Sequence, residues 1–419
     1  MKTRGAPSIR SFLLAVTLLL LLCTLPIWAG GAEEAGWPQW RGPNRDGISA
    51  ETDWDAQALA GGPKVLWHVE IGGGHTNIAI GGDHLYTMAR NSDGECVLCL
   101  DADTGEEIWR HKTGKSKLAQ ATPTLDGKHL YVLSYDGVLL CLKAKSGKLV
   151  WKRDLVNDFE APRPGYGFGA SPAVEGDLVI INAKHTGIAL NKANGEVVWE
   201  GEVKEAQSVN GYSTPVFVDR DGVSAVLIFS FPGLFAMDAA SGEQLWFYEW
   251  TLYGSPNIVD PVLFDGMVFI SSSETDSRGA VLDIRGAEPV LVWETRQMAN
   301  HVSSCIYVDG YLYGVDGDYN SDIRKCTLRC LDAESGELMW QESTGGASLT
   351  AADGKLIVLT AKGTLHIAEA NPAAYVEIST CELPTKTGIP YWWTPPVLCG
   401  GKIYCRNYSG ELVCIDVRK

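Results

Sequence analysis

Any chemistry in this 419-residue chain has to come from residues that stand outside its dominant pattern. They fall in short clusters. NDFEAPRPGYGFGASP (157–172) carries Arg163, Tyr166 and Phe168; the pair Lys184-His185 follows, then Tyr212, Tyr253 with Asn257, Asn300-His301, and Tyr391, Trp392 and Trp393 in GIPYWWTPP. Rings, amides and cations of this kind suit recognition of a planar or polar ligand by stacking and hydrogen bonding. The same rings would also serve to fill an internal channel. Covalent and metal chemistry have less support: no nucleophile–base pair, phosphate-cradling loop or ligand cluster emerges, and the eight histidines show no metal spacing. Cys96 and Cys99 form a C-x-x-C, but on a strand these side chains face opposite ways and no histidine follows, which argues against zinc and haem attachment.

The elements that must hold these clusters are set by a repeat. Trp67, Trp109, Trp151, Trp199, Trp246, Trp293 and Trp340 recur at spacings of 42, 42, 48, 47, 47 and 47 residues. Most of them close one phrase, as in LCLDADTGEEIW (98–109), FAMDAASGEQLW (235–246) and RCLDAESGELMW (329–340). The alternating apolar run reads as a strand, Thr-Gly or Ser-Gly as a tight turn in which glycine can take positive φ, and the tryptophan as part of the next strand, with a large surface to bury against a neighbouring copy. The acidic residue of the phrase can accept backbone N–H bonds within that turn. Upstream of each phrase lies a hairpin with an Asp-Gly, Glu-Gly or Gly-Gly bend, as in TPTLDGKHLYVL (122–133) and PPVLCGGKIYC (395–405). One unit is therefore four short antiparallel strands, A to D from the axis outward, and such units stack radially into a β-propeller.

Two incomplete copies fix the blade count. KVLWHVEI (64–71) has no strands A to C before it, and ELVCIDVRK at the C-terminus stops before any turn or tryptophan. The expectation is an all-β, eight-bladed propeller of four-stranded antiparallel blades, closed by pairing strand 64–71 with strands 397–417, at about 45 residues per blade. LHIAEANPAAYVE (365–377) reads as an eroded copy, with Glu369 at the aspartate position and Glu377 at the tryptophan position. The D-to-A and B-to-C loops then share one face around the channel mouth, and the candidate clusters all lie on that face.

The termini and the charge bound the setting. Lys2, Arg4 and Arg10 precede SFLLAVTLLLLLCTLPIWAG, which with the small residues after it reads as a signal peptide over residues 1–29. Residues 30–63 include WPQWRGPNRDGIS (37–49), too aromatic for a free linker and expected to lie on the propeller as a cap, with the propeller itself over 64–419. Removing three basic residues with the signal takes the net charge from −16 to −19, which disfavours nucleic acid and leaves a solvated acidic surface on a periplasmic or secreted monomer without stable membrane insertion. Cys99, Cys141, Cys330 and Cys414 occupy equivalent strand positions in different blades, so they read as small buried residues, and any disulfide would lie among Cys96, Cys305, Cys326, Cys381, Cys399 and Cys405.

The phrases DADTGEEIW, DAASGEQLW and DAESGELMW resemble the docking motif of the quinoprotein propellers, the repeat named after pyrroloquinoline quinone (PQQ). That resemblance implies the propeller fold and two alternatives for function. One branch, PQQ-dependent dehydrogenases acting on alcohols or sugars, implies PQQ and a calcium ion in the channel, with Trp392 or Trp393 as the aromatic floor and Arg163 or Lys184 beside the quinone. The chain departs from that branch in having no adjacent cysteine pair, no C-x-x-C-H segment and no length for large inserted loops. The other branch is the PQQ-free BamB-type scaffold, from which the chain departs in lacking a lipobox before Cys23. The reading that accounts for more residues is an exported, non-catalytic scaffold that binds a protein, peptide or glycan on its channel face.

Overall fold

The computed structural model describes Met1 and residues 36–115, 118–203, 211–220, 222–251, 256–273, 276–386 and 391–419. The signal segment expected over 1–29 falls outside them apart from Met1. The described residues form eight antiparallel sheets of four strands, consecutive in seven of them and drawn from both ends of the chain in the eighth, and one of the seven gains a fifth strand at its inner edge. Blade 4 illustrates the unit, with strands Val216–Arg220, Val223–Ser230, Gly233–Asp238 and Gln244–Glu249. Strands B and C are buried on both faces because each blade is stacked between two others, so they read as continuous apolar runs such as AVLIF and LFAM. Between strands C and D the register slips by one residue just beside the tryptophan, here at Ala236/Met237. The same bulge recurs in the other seven blades. It sharpens the local twist at the residue that must face the next blade.

The period of the sequence is the period of a docking joint. The ring of Trp199 in blade 3 lies on Gly242 of blade 4, so close that a Cβ there would stand 2.6 Å from the indole, and Gly242 has φ of +73°. Its Nε1 donates to the Ala239 carbonyl at 2.8 Å. Only glycine satisfies both the contact and the backbone conformation. The turn is held by Asp238, whose Oδ1 accepts from Ala240 N, Ser241 N and the Ser241 hydroxyl at 3.0, 2.7 and 2.9 Å. These bonds hold its carboxyl below the usual aspartate range. Trp67, Trp109, Trp151 and Trp293 dock on Gly105, Gly147, Gly195 and Gly336 in the same way. Trp246 lacks the joint, because blade 5 carries Arg285 and Gly286 in a different turn and no acceptor meets its Nε1 among the described residues.

Blade 8 closes the ring as the termini imply. Val65–Glu70 pairs with Glu411–Asp416, with Trp67 opposite Cys414, and Lys402–Arg406 and Val397–Cys399 complete the sheet. Lys64 Nζ meets Asp416 Oδ2 at 2.6 Å, and with Arg418 it holds that carboxyl well below the aspartate range. Blade 7 corrects one expectation. Its C-to-D turn is two residues longer than in blade 4, so the residue standing opposite Ile367, where other blades have tryptophan, is Ser379 and not Glu377. The volume left there is filled from the N-terminal segment: Trp54 and Leu59 are buried in one cluster with Ile367, Cys381 and Val417. Ser379 donates its hydroxyl to the Ala56 carbonyl, and Asp55 N donates to the Val417 carbonyl.

The rest of that segment lies across the axial channel, against the innermost strands of several blades. Trp37 exchanges backbone bonds with Ile80 in blade 1, the Pro38 carbonyl accepts from Leu125 in blade 2, and Arg45 donates to the Val174 carbonyl in blade 3. Arg41 reaches the Cys305 carbonyl beside blade 6, and Ile48–Ser49 runs parallel to Ala351 and Ala352 as the fifth strand of blade 7. Glu51 then caps the Gly400 and Gly401 N–H groups at the bend of blade 8. All ten described cysteines are buried, and none of them is joined in a disulfide. The four equivalent ones each stand opposite a tyrosine on strand B, namely Tyr86, Tyr131, Tyr313 and Tyr404. Burial pushes thiols such as Cys99 up to about 12.

Candidate binding cavity on the channel face

From blade 1 to blade 6 the entry to strand A on the channel face is tied to the next blade by a side-chain oxygen. Asn77 N donates to Thr122 Oγ1, Thr122 N to Ser171 Oγ, Ser171 N to Thr214 Oγ1, Thr214 N to Asp260 Oδ1 and Asp260 N to Ser304 Oγ, at 3.0, 3.0, 3.1, 2.6 and 2.9 Å. This belt runs blade to blade around the channel from blade 1 to blade 6. It fixes the loops that follow each strand D, and it leaves Asp260 as the one carboxylate among hydroxyls. Trp40, at the top of the N-terminal segment, donates Nε1 to Asp260 Oδ2 at 2.6 Å and floors the channel.

Above that floor is a cavity of about 350 Å³. Its wall at blade 8 is an aromatic stack: His75 lies on Trp393 with centroids 4.8 Å apart and planes 12° apart, and Tyr408 closes on His75 at 4.6 Å. Tyr212 stands across it and accepts the Tyr166 N–H at 2.9 Å through its hydroxyl. His301 accepts the Tyr319 N–H on Nδ1 at 3.0 Å, beside Asp318 at 3.4 Å, and meets the Tyr319 ring edge-on. An Nδ1 that accepts leaves the ring proton on Nε2. Burial, reinforced by the nearby Arg406 guanidinium, lowers His75 to about 4, so it is neutral near pH 7. Burial raises the Asp260 carboxyl above its ordinary range, against the pull of Arg41 and its three hydrogen-bond donors.

Of the residues singled out in the sequence, Tyr166, Tyr212, His301 and Trp393 line this cavity. Tyr391 stands at its rim, 41% exposed and 5.6 Å from Trp393. The others are placed elsewhere. Phe168 and Trp392 point into the interior, at 2% and 0% exposure, Trp392 within the blade 7–8 cluster. Asn257 and Asn300 are buried brackets: Asn257 donates to the Ser230 carbonyl, Asn300 to the Val315 carbonyl, and each accepts a serine hydroxyl. His185 is buried, with its carbonyl accepting from Ser230. Arg163 is paired with Asp136 and Lys184 with Glu200. Tyr253 lies outside the described residues. Sequence reasoning missed Trp40, His75, Gln120, Asp260, Tyr319 and Asn320. One signal was available: a hydroxyl or acid directly before proline recurs at Thr122, Ser171, Thr214, Asp260 and Thr394.

Comparison with known proteins bears on the same architecture. A family model described as "Outer membrane protein assembly factor BamB" matches residues 93–324. The chain belongs to this family of PQQ-like propellers. The outer membrane protein assembly factor BamB of Yersinia pestis is 24% identical over 387 residues, covering 84% of this chain and 88% of that protein. The crystal structure of BamB from Moraxella catarrhalis superposes with a TM-score of 0.66 at 16% identity, over 84% of this chain and 99% of the other. A quinohemoprotein alcohol dehydrogenase from Comamonas testosteroni superposes equally well, TM-score 0.67 at 14% identity, over 93% and 81%. At such identities the two structures establish a shared fold.

The donor set tests whether this BamB-family cavity suits the quinone and calcium of the dehydrogenase branch. Calcium takes six to eight oxygen ligands, usually with several carboxylates. Here Asp260 is the one carboxylate among the described residues of the lining, and both its oxygens already accept from Thr214, Trp40 and Ser304. No group of three or more His, Cys, Asp or Glu side chains suited to a metal occurs among the described residues. PQQ carries three carboxylates, yet no lysine or arginine lines the cavity among the described residues. Trp392 is a core residue and cannot serve as a floor. The residues present do not fit the pair.

Proposed function

We propose that this BamB-family chain is an exported, periplasmic scaffold that performs no chemistry and docks a protein or peptide segment on its channel face as a monomer. The observation that carries the reading is the division of labour on the ring. Residues that recur build the blade joints and the belt, while the exposed rings at the channel mouth, Tyr166 at 66% and Tyr391 at 41%, sit on loops that do not recur. Exposed aromatics beside neutralised ion pairs, Arg163 with Asp136 and Lys184 with Glu200, have the composition of a protein-binding rim. Membership of a family described as an outer membrane assembly factor supports a protein partner, and the N-terminal charge and apolar pattern supports export.

Two measurements test it. A photo-crosslinking residue at position 166 or 391 should yield an adduct that maps by mass spectrometry to one defined polypeptide, whereas the same residue at the outer edge position 290 should not. The purified mature protein is then mixed with PQQ and calcium. An unchanged spectrum and no dye-linked oxidation of alcohols or sugars are expected; stoichiometric quinone absorbance with turnover would overturn the scaffold reading.

A further inference from the structure

The cavity beneath that rim has a chemistry of its own. Thr122, Ser171 and Thr214 are 1%, 3% and 7% exposed and all line it. Each hydroxyl oxygen accepts a backbone N–H from the neighbouring blade, and none of the three O–H protons has an acceptor among the described residues. A buried hydroxyl left without an acceptor is costly, so three in a row along one cavity wall amount to an arc of donors awaiting acceptor oxygens. Gln120 and Asn320 add amide groups on the same lining.

Charge narrows the occupant. With no lysine or arginine among the described residues of the lining, with His75 neutral near pH 7 and with one carboxylate already bonded, those residues give a phosphate or carboxylate ligand no cationic partner. The two buried guanidiniums nearby face away from it: Arg406 donates to Thr87, Met88 and Gly72, and Arg41 to the Cys305 and Asp46 carbonyls beneath Trp40. Arg41 also offsets Asp260, so a bare cation gains little. What remains is an uncharged ligand, dense in hydroxyl and ether oxygens, with a flat C–H surface for the rings of Trp393, Tyr212 and Trp40. That is the chemistry of a pyranose.

We infer that the channel cavity is a saccharide-binding site, taking one or two neutral sugar rings against the Trp393 wall with the Thr122, Ser171 and Thr214 hydroxyls donating to the sugar oxygens. This goes beyond protein docking, which uses the rim above it. A volume of about 350 Å³ lies at the small end of ligand pockets and suits so small a unit.

The test uses the mature full-length protein and a panel of glucose, N-acetylglucosamine, cellobiose and diacetylchitobiose, with gluconate as an acidic analogue and a blocked tripeptide as an acceptor-rich non-sugar. Binding is read by calorimetry and by quenching of tryptophan fluorescence. At least one neutral sugar should bind saturably, and gluconate and the tripeptide should not. Thr214→Val should weaken that binding about tenfold, the worth of one hydrogen bond, and Thr214→Ser should restore it. Because Thr214 also belongs to the belt, Gln120→Leu provides a second variant outside it, expected to weaken binding with an unchanged melting temperature. Failure of every sugar to bind, tighter binding of the tripeptide, or sugar binding indifferent to Thr214→Val and Gln120→Leu would each overturn the inference. The protein adduct at position 166 is scored separately, so loss of the sugar site leaves the scaffold reading standing, and the converse.

Discussion

Between blades 3 and 4 the joint is the one the repeat prescribes, Trp199 lying on Gly242 with its indole nitrogen on the Ala239 carbonyl. Between blades 7 and 8 neither partner is present. Ser379 replaces the tryptophan, blade 8 has no glycine turn of its own, and Trp54 and Leu59 arrive from more than 300 residues away to fill the same space. The comparison teaches that the ring requires a filled wedge between blades more than any particular sequence position. Close packing explains why: a void of indole size forfeits contacts on both facing sheets at once.

That comparison can be broken at its regular end first. Trp199→Ala removes a buried ring and its hydrogen bond, so unfolding free energy should fall by about 3–5 kcal/mol, measured by urea denaturation. Trp54→Ala tests whether the seam depends on its borrowed residue. A loss of about 3 kcal/mol is expected, at the lower end of the range because Leu59 still holds part of the wedge. A loss below 1 kcal/mol would mean that blades 7 and 8 close without the segment.

A pH series sharpens the contrast between joints and channel. His75 is lowered from its ordinary 6.5 to about 4 by burial and by Arg406. Its neutral form is favoured in the folded state, so the contribution is full above pH 6.5 and is lost as pH falls toward 4. Wild-type stability should drop across that window, and His75→Gln should flatten the drop. Asp238 acts lower on the scale. Its folded carboxyl is depressed by the turn, so its contribution holds above the ordinary aspartate range and disappears only as pH falls through the lowered value. The smallest stability effect belongs to the rim, where Tyr166→Ala should change unfolding free energy by under about 0.5 kcal/mol while abolishing the position-391 adduct.

The fold was legible because its joints repeat. Trp, Gly and Asp are each required by a local geometry that recurs, so their spacing reveals the blade, its turn and the ring closure at Trp67 and Cys414. Blade 7 was misaligned because a longer turn shifts the register without leaving a mark on composition, and only pairing shows Ser379 opposite Ile367. The cavity was half legible. Tyr212, His301 and Trp393 could be placed on the correct face, but adjacent residues on an irregular loop diverge: Trp392 enters the core while Trp393 turns to the channel. Asn257 and Asn300 looked like ligand-binding amides and are instead bonded to the backbone. Trp40 was out of reach, since nothing local indicates that a segment before the first blade returns to the axis and ends on Asp260.

The closure of blade 8 sets a clock on biosynthesis. Strand Val65–Glu70 is made about 340 residues before its partner Glu411–Asp416. At roughly 5–20 residues per second, an apolar strand edge therefore waits about 20–70 s for the one segment that can cover it. Throughout that interval the nascent chain is an open fan with a sticky leading blade, and the final six-residue strand converts it into a ring with no free end.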